Sequence, residues 1–256
     1  MTERRLALLI LSLTLTAFAQ AATGNPVRQI ITKITQAPTA SSASFAAGLV
    51  VGAAVVGSTG FLEPYLTASD VPMSVIRNHQ TLRATVVSVA DGDTVRVRHQ
   101  PLFGRAKSVG KLRDNSISVR LLAIDAPEIG KFGRENQPFA EEARASVRDS
   151  VLGKQVQVKC WQRDQYGRIV GEVRYGALGR RELSTELIQE GLAVVYTGRD
   201  ASYGTRSVDE WKALQAIAQR ERRGMWVNGV DTVQLPSEYK RAARAAQAQA
   251  STPKVK

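Results

Sequence analysis

The chain has 256 residues, room for one or two domains, and 43% of them are hydrophobic, which suffices for a packed core and excludes a disordered protein. A formal net charge of +12 favours an anionic partner, either nucleic acid or an acidic membrane surface, and charge alone does not choose between the two. A single cysteine, Cys160, excludes a disulfide framework and a cysteine-rich zinc site; two histidines, His79 and His99, argue against a multi-histidine centre, so any metal needs oxygen ligands.

In chain order, Arg4 and Arg5 precede the apolar run 6–19, and Ala17-Phe18-Ala19 has the small-x-small pattern of a cleavage site. Residues 1–22 therefore read as a signal peptide; the early arginines and the Ser/Thr-rich stretch that follows suit a mitochondrial presequence as well. The run is shorter than the about 20 apolar residues that a membrane span requires. Residues 44–62 carry no charge and as a helix would reach about 28 Å, so they are the expected transmembrane helix of a single-pass protein in a mitochondrial or secretory-pathway membrane. Gly48 and Gly52 stand at GxxxG spacing, which allows two helices to approach closely, although a small-residue helix without a partner has the same pattern and the oligomeric state stays open. The competing reading, a buried core helix, is disfavoured because no polar positions recur at helical spacing. Glu63-Pro64 ends the segment, and residues 67–81 read as a connector.

Alternation of apolar and polar residues predicts strands over 82–89, 94–98, 117–123, 155–160 and 169–175, with Cys160 a small apolar strand residue. Helices are predicted over 138–152, with Pro138 at the first helical position, over 182–190, and from the capping box Ser207-Val208-Asp209-Glu210 to Gly224. The fold class is α+β: a five-stranded OB-type β-barrel packed with three helices over 82–239, preceded by the membrane segment. The tail 240–256 is basic and free of acids, and reads as a frayed helix or disordered end that adds electrostatic affinity.

The chemistry-bearing runs are Asp91-Gly92-Asp93-Thr94, Arg120 to Glu128 ending Asp125-Ala126-Pro127-Glu128, and Asp164-Gln165-Tyr166-Gly167-Arg168. Singly, each is an ordinary turn or surface loop. In this order and on these elements they resemble the thermonuclease (staphylococcal-nuclease-like) family, from Leu82 to about Tyr239. The runs Lys111-Leu112-Arg113-Asp114, Phe132-Gly133-Arg134 and Gln137-Pro138-Phe139-Ala140, behind a single predicted span, look closest to that family's fungal mitochondrial membrane-anchored endonucleases.

The residue types suit phosphodiester hydrolysis, which builds negative charge on phosphorus and needs cations near the equatorial oxygens and a base for water. Asp93 opens one strand and Asp125 follows another, so both carboxylates can converge on one hard cation. The resemblance implies Ca2+ there, the backbone carbonyl of Ala126 as a further ligand where threonine is frequent in the family, and Glu128 as general base. Arg120 sits mid-strand in an apolar run, where an unpaired guanidinium is costly and a bidentate phosphate resolves the cost. Arg168 is expected to supply the second guanidinium, and Asp91 to organise its turn. Tyr166 and Tyr196 are substrate-contact candidates, stacking on a base or touching a phosphate, with core packing equally open. Arg105, Lys107, Lys111 and Arg113 form a basic excursion suited to nucleic-acid backbone, to solvent or to lipid head groups.

The expected function is thus a calcium-dependent, membrane-tethered nuclease cleaving DNA and/or RNA. The alternatives are a non-catalytic OB module that binds nucleic acid or protein, and a membrane adaptor with vestigial nuclease residues. Superfamily members without catalysis typically lack some of these acids and arginines, and none is missing here.

Overall fold

Five of the strands arise from the same cause, mostly apolar residues at every second position that bury one face. The computed structural model describes residues 64–101, 110–130 and 133–251. The leader at 1–22, the segment at 44–62, Arg105, Lys107 and Phe132 lie outside the described residues. Among the described residues no helix is long and apolar enough to cross a membrane.

The strands are β1 (Thr81–Val89), β2 (Thr94–His99), β3 (Ile117–Leu121), β4 (Ile124–Asp125), β5 (Gln155–Arg163), β6 (Ile169–Tyr175), β7 (Arg181–Glu182) and β8 (Val194–Val195). β1 pairs antiparallel with β2 and β5, β2 with β3, and β5 with β6, while β3 and β6 pair in parallel and close the barrel. Five strands therefore form a closed OB-type barrel, as the alternation predicts, with β7 appended to β6 and β4 paired with β8 in a separate ribbon. Val86, Val95, Val119, Cys160, Ile169 and Val173 are fully buried inside it. Each such aliphatic side chain contributes roughly 1.5–3 kcal/mol by leaving water.

The described helices are α1 (Met73–Arg77), α2 (Ala140–Val151), α3 (Leu183–Gln189), α4 (Val208–Arg220) and α5 (Pro236–Ser251), two more than the sequence reading expects. α2 buries Ala140, Ala143, Val147 and Val151, one face at helical spacing, against the barrel. It starts two residues later than predicted because Phe139, at φ +68°, takes the left-handed conformation and ends a turn closed by Ala140 N–H donating to the Gln137 carbonyl at 3.0 Å. Pro138 thus precedes the helix instead of opening it. α4 has the predicted capping box, with Ser207 Oγ accepting from Glu210 N–H at 3.2 Å and Glu210 Oε2 accepting from Ser207 N–H at 2.7 Å. It anchors Trp211, 1% exposed, whose indole N–H donates to the Tyr203 carbonyl at 3.0 Å.

Two boundaries differ from the sequence reading. Residues 67–81 are no mere connector: Val71, Val75 and Ile76 are buried in the barrel core, and Arg163 donates to the carbonyls of Ala68 and Val71 at 2.7 and 2.8 Å. The core packing therefore starts before Leu82. The strand predicted over 117–123 breaks after Leu121, because Ala123 adopts φ +66° and Ser184 Oγ on α3 donates to the Leu122 carbonyl at 3.0 Å. The chain resumes as β4, one turn away from the barrel wall.

Candidate active site

The turn between β1 and β2 is an Asx turn, with Asp91 Oδ1 accepting from Asp93 N–H at 3.2 Å, as expected of Asp91. Gly92 at its tip packs so closely that a Cβ there would lie 2.7 Å from Ala126 Cβ and 2.8 Å from Ala143 Cβ. Only glycine lets the turn settle between α2 and the exit of β4, and this brings Asp93 toward Asp125. Both carboxylates are buried, 5% and 2% exposed.

Arg120 lies opposite Thr94 in the β2–β3 ladder and spans the two acids, Nη1 to Asp93 Oδ2 at 2.7 Å and Nη2 to Asp125 Oδ1 at 2.9 Å. Nη2 also donates to the Ile124 carbonyl at 3.2 Å, and the guanidinium carbon sits 5.3 Å from the Tyr196 ring centre. Burial opposes the charge on Arg120, but the two carboxylates outweigh it and hold the guanidinium above its ordinary value. Burial likewise pushes Asp93 up, yet Arg120, Lys240 and the Thr94 hydroxyl prevail and leave it below the usual carboxylate range. Asp91 is pushed up to about 7 by burial and by the neighbouring Asp93 charge.

Arg168 follows the β5–β6 turn, where Asp164 Oδ1 accepts from the N–H groups of Tyr166 and Arg168 at 2.9 and 2.8 Å. Asp164 Oδ2 accepts from Arg168 Nε at 2.6 Å, and Arg168 Nη1 donates to Thr94 Oγ1 at 3.3 Å. Thr94 Oγ1 in turn donates to Asp93 Oδ1 at 2.8 Å, so the two arginines are joined through one hydroxyl and one carboxylate. Tyr166 is 69% exposed and lies 5.5 Å beneath the Arg168 guanidinium, an open face on the rim and not a core residue. Tyr196 is half-buried against Arg120, with its backbone N–H donating to the Ala123 carbonyl at 2.8 Å.

Glu128 stands on the loop between β4 and α2. Gln137 clamps that loop from both sides: its Oε1 accepts from Glu128 N–H at 3.1 Å and its own N–H donates to the Glu128 carbonyl at 3.0 Å. Asp93, Arg120, Asp125, Ala126, Glu128 and Arg168 therefore share one rim of the barrel. Sequence reasoning missed three supports of this set. Asp164 opens the Tyr-Gly-Arg turn and its type and place were a usable signal; Gln137 opens a run that the resemblance singles out, but nothing in the sequence gave it a role.

Lys240 is the third: of the two readings of residues 240–256, a frayed helix or a disordered end, the described part to Ser251 is helical, and at Lys240 it is docked. Lys240 belongs to α5, and its Nζ lies 2.8 Å from Asp125 Oδ1 and 2.9 Å from Glu128 Oε1. Burial opposes its charge, and the carboxylates of Asp125 and Glu128 more than restore it. A partner 115 positions away in sequence leaves no local pattern to read.

Among the described residues no three His, Cys, Asp or Glu side chains are grouped as the shell of a metal ion. The donors are nevertheless hard oxygens of the kind that calcium takes, and two cationic side chains are already drawn to them.

A closed barrel thus sets two buried acids and two guanidiniums side by side on one rim, carboxylate oxygens next to cationic donors. The staphylococcal nuclease homologue family matches residues 118–228. Endonuclease Htp3 of Saprolegnia parasitica is 36% identical over 200 residues, 77% of this chain and 93% of its own length. The probable endonuclease LCL3 of Schizophyllum commune is 36% identical over 218 residues, 78% of this chain and 74% of its own, and that of Komagataella phaffii 34% over 191 residues, 69% and 82%. The chain belongs to the staphylococcal nuclease homologue family, a family of nucleases.

Proposed function

We propose that the protein is a calcium-dependent endonuclease that hydrolyses phosphodiester bonds of DNA and/or RNA and is tethered to a membrane through residues 44–62. The observation that carries the nuclease reading is the unbroken chain of contacts from Asp164 through Arg168, Thr94, Asp93 and Arg120 to Asp125, with Glu128 beside it. It joins both kinds of group that the reaction demands, guanidiniums for developing phosphate charge and carboxylates for metal and proton.

Asp93, Asp125 and the Ala126 carbonyl would hold the calcium ion, which supplies charge neutralisation of a phosphoryl oxygen. Glu128 takes the proton of the attacking water on a carboxylate oxygen, and Gln137 fixes the backbone that aims it. Arg120 and Arg168 offer N–H donors to the oxygens that gain charge, and Arg168 would also assist the leaving oxygen. Tyr166 presents its open ring for a base or sugar.

Glu128→Gln and Arg168→Ala should each lower turnover on single-stranded DNA by two or more orders of magnitude, with the circular dichroism spectrum and melting temperature retained; orders of this size follow from removing one acid–base or oxyanion donor. Full activity in either variant overturns the mechanism. Retention of DNA without cutting, in calcium as in chelator, would support a binding module instead. The membrane tether rests on the uncharged length of residues 44–62 and is tested by carbonate extraction of the full chain.

A further inference from the structure

We propose that Lys240 is a built-in competitor for the calcium site, so that ion binding and docking of α5 on the carboxylates exclude one another. The proposal rests on the calcium reading above and names how that site is regulated. Lys240 is delivered from the far end of the described chain to the two acids that flank the expected ion, Asp125 and Glu128, at 2.8 and 2.9 Å. Asp125 Oδ1 already accepts from Arg120 Nη2 at 2.9 Å and from Lys240 Nζ, which occupies both of its lone pairs. A calcium ion takes carboxylate oxygens at about 2.3–2.6 Å, so an ion on Asp125 would have to share Oδ1 or take Oδ2 of the same carboxylate, in either case close to an ammonium of like charge. Both cations draw on the same two carboxylates and repel one another, so each weakens the binding of the other.

α5 is built to leave. Of its described positions Pro236 alone is buried; Tyr239, Lys240 and Ala243 are half-buried, and Arg241, Ala242, Arg244 and Ala245 are exposed. Among its described side chains the one large ring is Tyr239, which is half-buried and whose Oη donates to the Glu135 carbonyl at 2.6 Å. The segment before it is anchored, since Gln137 Nε2 donates to the Gln234 carbonyl at 2.5 Å, so α5 can swing about residues 234–236 without releasing the rest of the fold. With the ion in place the Lys240 contacts are lost, the helix loses most of its hold, and its arginines become accessible. Without the ion, Lys240 keeps the acids neutralised and the helix docked.

Calorimetric titration of the full chain with CaCl2, in the wild type and in Lys240→Met, tests the first half. The variant should bind calcium about tenfold or more tightly, since the ion no longer displaces a bound ammonium. Lys240→Gln serves as a second variant, judged by the same titration, should the first fold poorly. Trypsin tests the second half: calcium should accelerate cleavage after Arg241 and Arg244 in the wild type, whereas Lys240→Met should be cut fast with or without the ion. Equal calcium affinity in wild type and variant, together with cleavage that ignores calcium, overturns the competition and leaves the calcium reading standing. If neither chain binds calcium, the calcium reading itself falls, and the competition falls with it.

Discussion

His99 carries a stability switch that has nothing to do with catalysis. It is 6% exposed at the end of β2, its Nδ1 accepts from Tyr65 N–H at 3.1 Å, and its ring stacks on Tyr65 with centres 4.9 Å apart. Burial pushes its pKa down from 6.5 to about 4. The unfolded chain therefore binds a proton that the folded chain refuses between those two values, so this stabilisation is complete above pH 6.5 and is lost as pH falls toward 4. Asp91, pushed up to about 7, works in the opposite sense across the same window, so the difference between wild type and His99→Asn isolates the histidine. The melting temperature of the wild type should fall relative to that variant on going from pH 7 to pH 4; parallel curves would refute the assignment. At this scale the site was well legible where a residue's type clashed with its place. Arg120 in an apolar strand demanded a partner; a phosphate was expected, and the partners the fold itself supplies are Asp93 and Asp125. Lys240 clashed with nothing, because a lysine in a basic, alanine-rich stretch looks at home in water.

Among elements, the five barrel strands were readable to within a few residues from their alternation, the short β7 and β8 were not, and the α4 cap was readable because Ser207 and Glu210 satisfy each other locally. The misreadings came from the backbone. Left-handed conformations at Ala123 and Phe139 end one strand and delay one helix, and neither residue type announces a positive φ. The turn at Gly92 did announce itself as a turn, though not the reason it must be glycine. Gly92→Ala places a methyl 2.7 and 2.8 Å from those of Ala126 and Ala143, so the turn or α2 has to shift. A loss of about 1–3 kcal/mol is expected by urea denaturation, together with a lower turnover because Asp93 moves with the turn; unchanged values of both would show slack where the structure has none. Strand β5 offers a probe of the barrel interior. Cys160 is fully buried and its thiol is pushed up to about 12 by burial. An aromatic disulfide reagent at neutral pH should leave it untouched in the folded chain and label it at once in denaturant.

For the whole molecule, the closed barrel was legible from strand count and alternation, whereas the arrival of α5 beside the active site was not, since composition describes what a segment is made of and not where it docks. The net charge of +12 makes a further claim testable. Binding of single-stranded DNA to Glu128→Gln, measured in chelator to prevent cutting, should weaken with rising salt on a log–log slope steeper than about −2, the mark of three or more neutralised phosphates. A flat dependence would mean that the positive charge faces something other than the strand.

The pairing of Thr94 with Arg120 in the β2–β3 ladder reaches beyond catalysis. Ile117, Val119 and Leu121 point into the barrel while Arg120 points out of it, so β3 misaligned by one position would drive a guanidinium into the hydrocarbon interior and strand two aspartates. The register that keeps Arg120 out of the interior is thus the same one that sets it between Asp93 and Asp125, so closing the barrel and aligning the candidate site are one requirement.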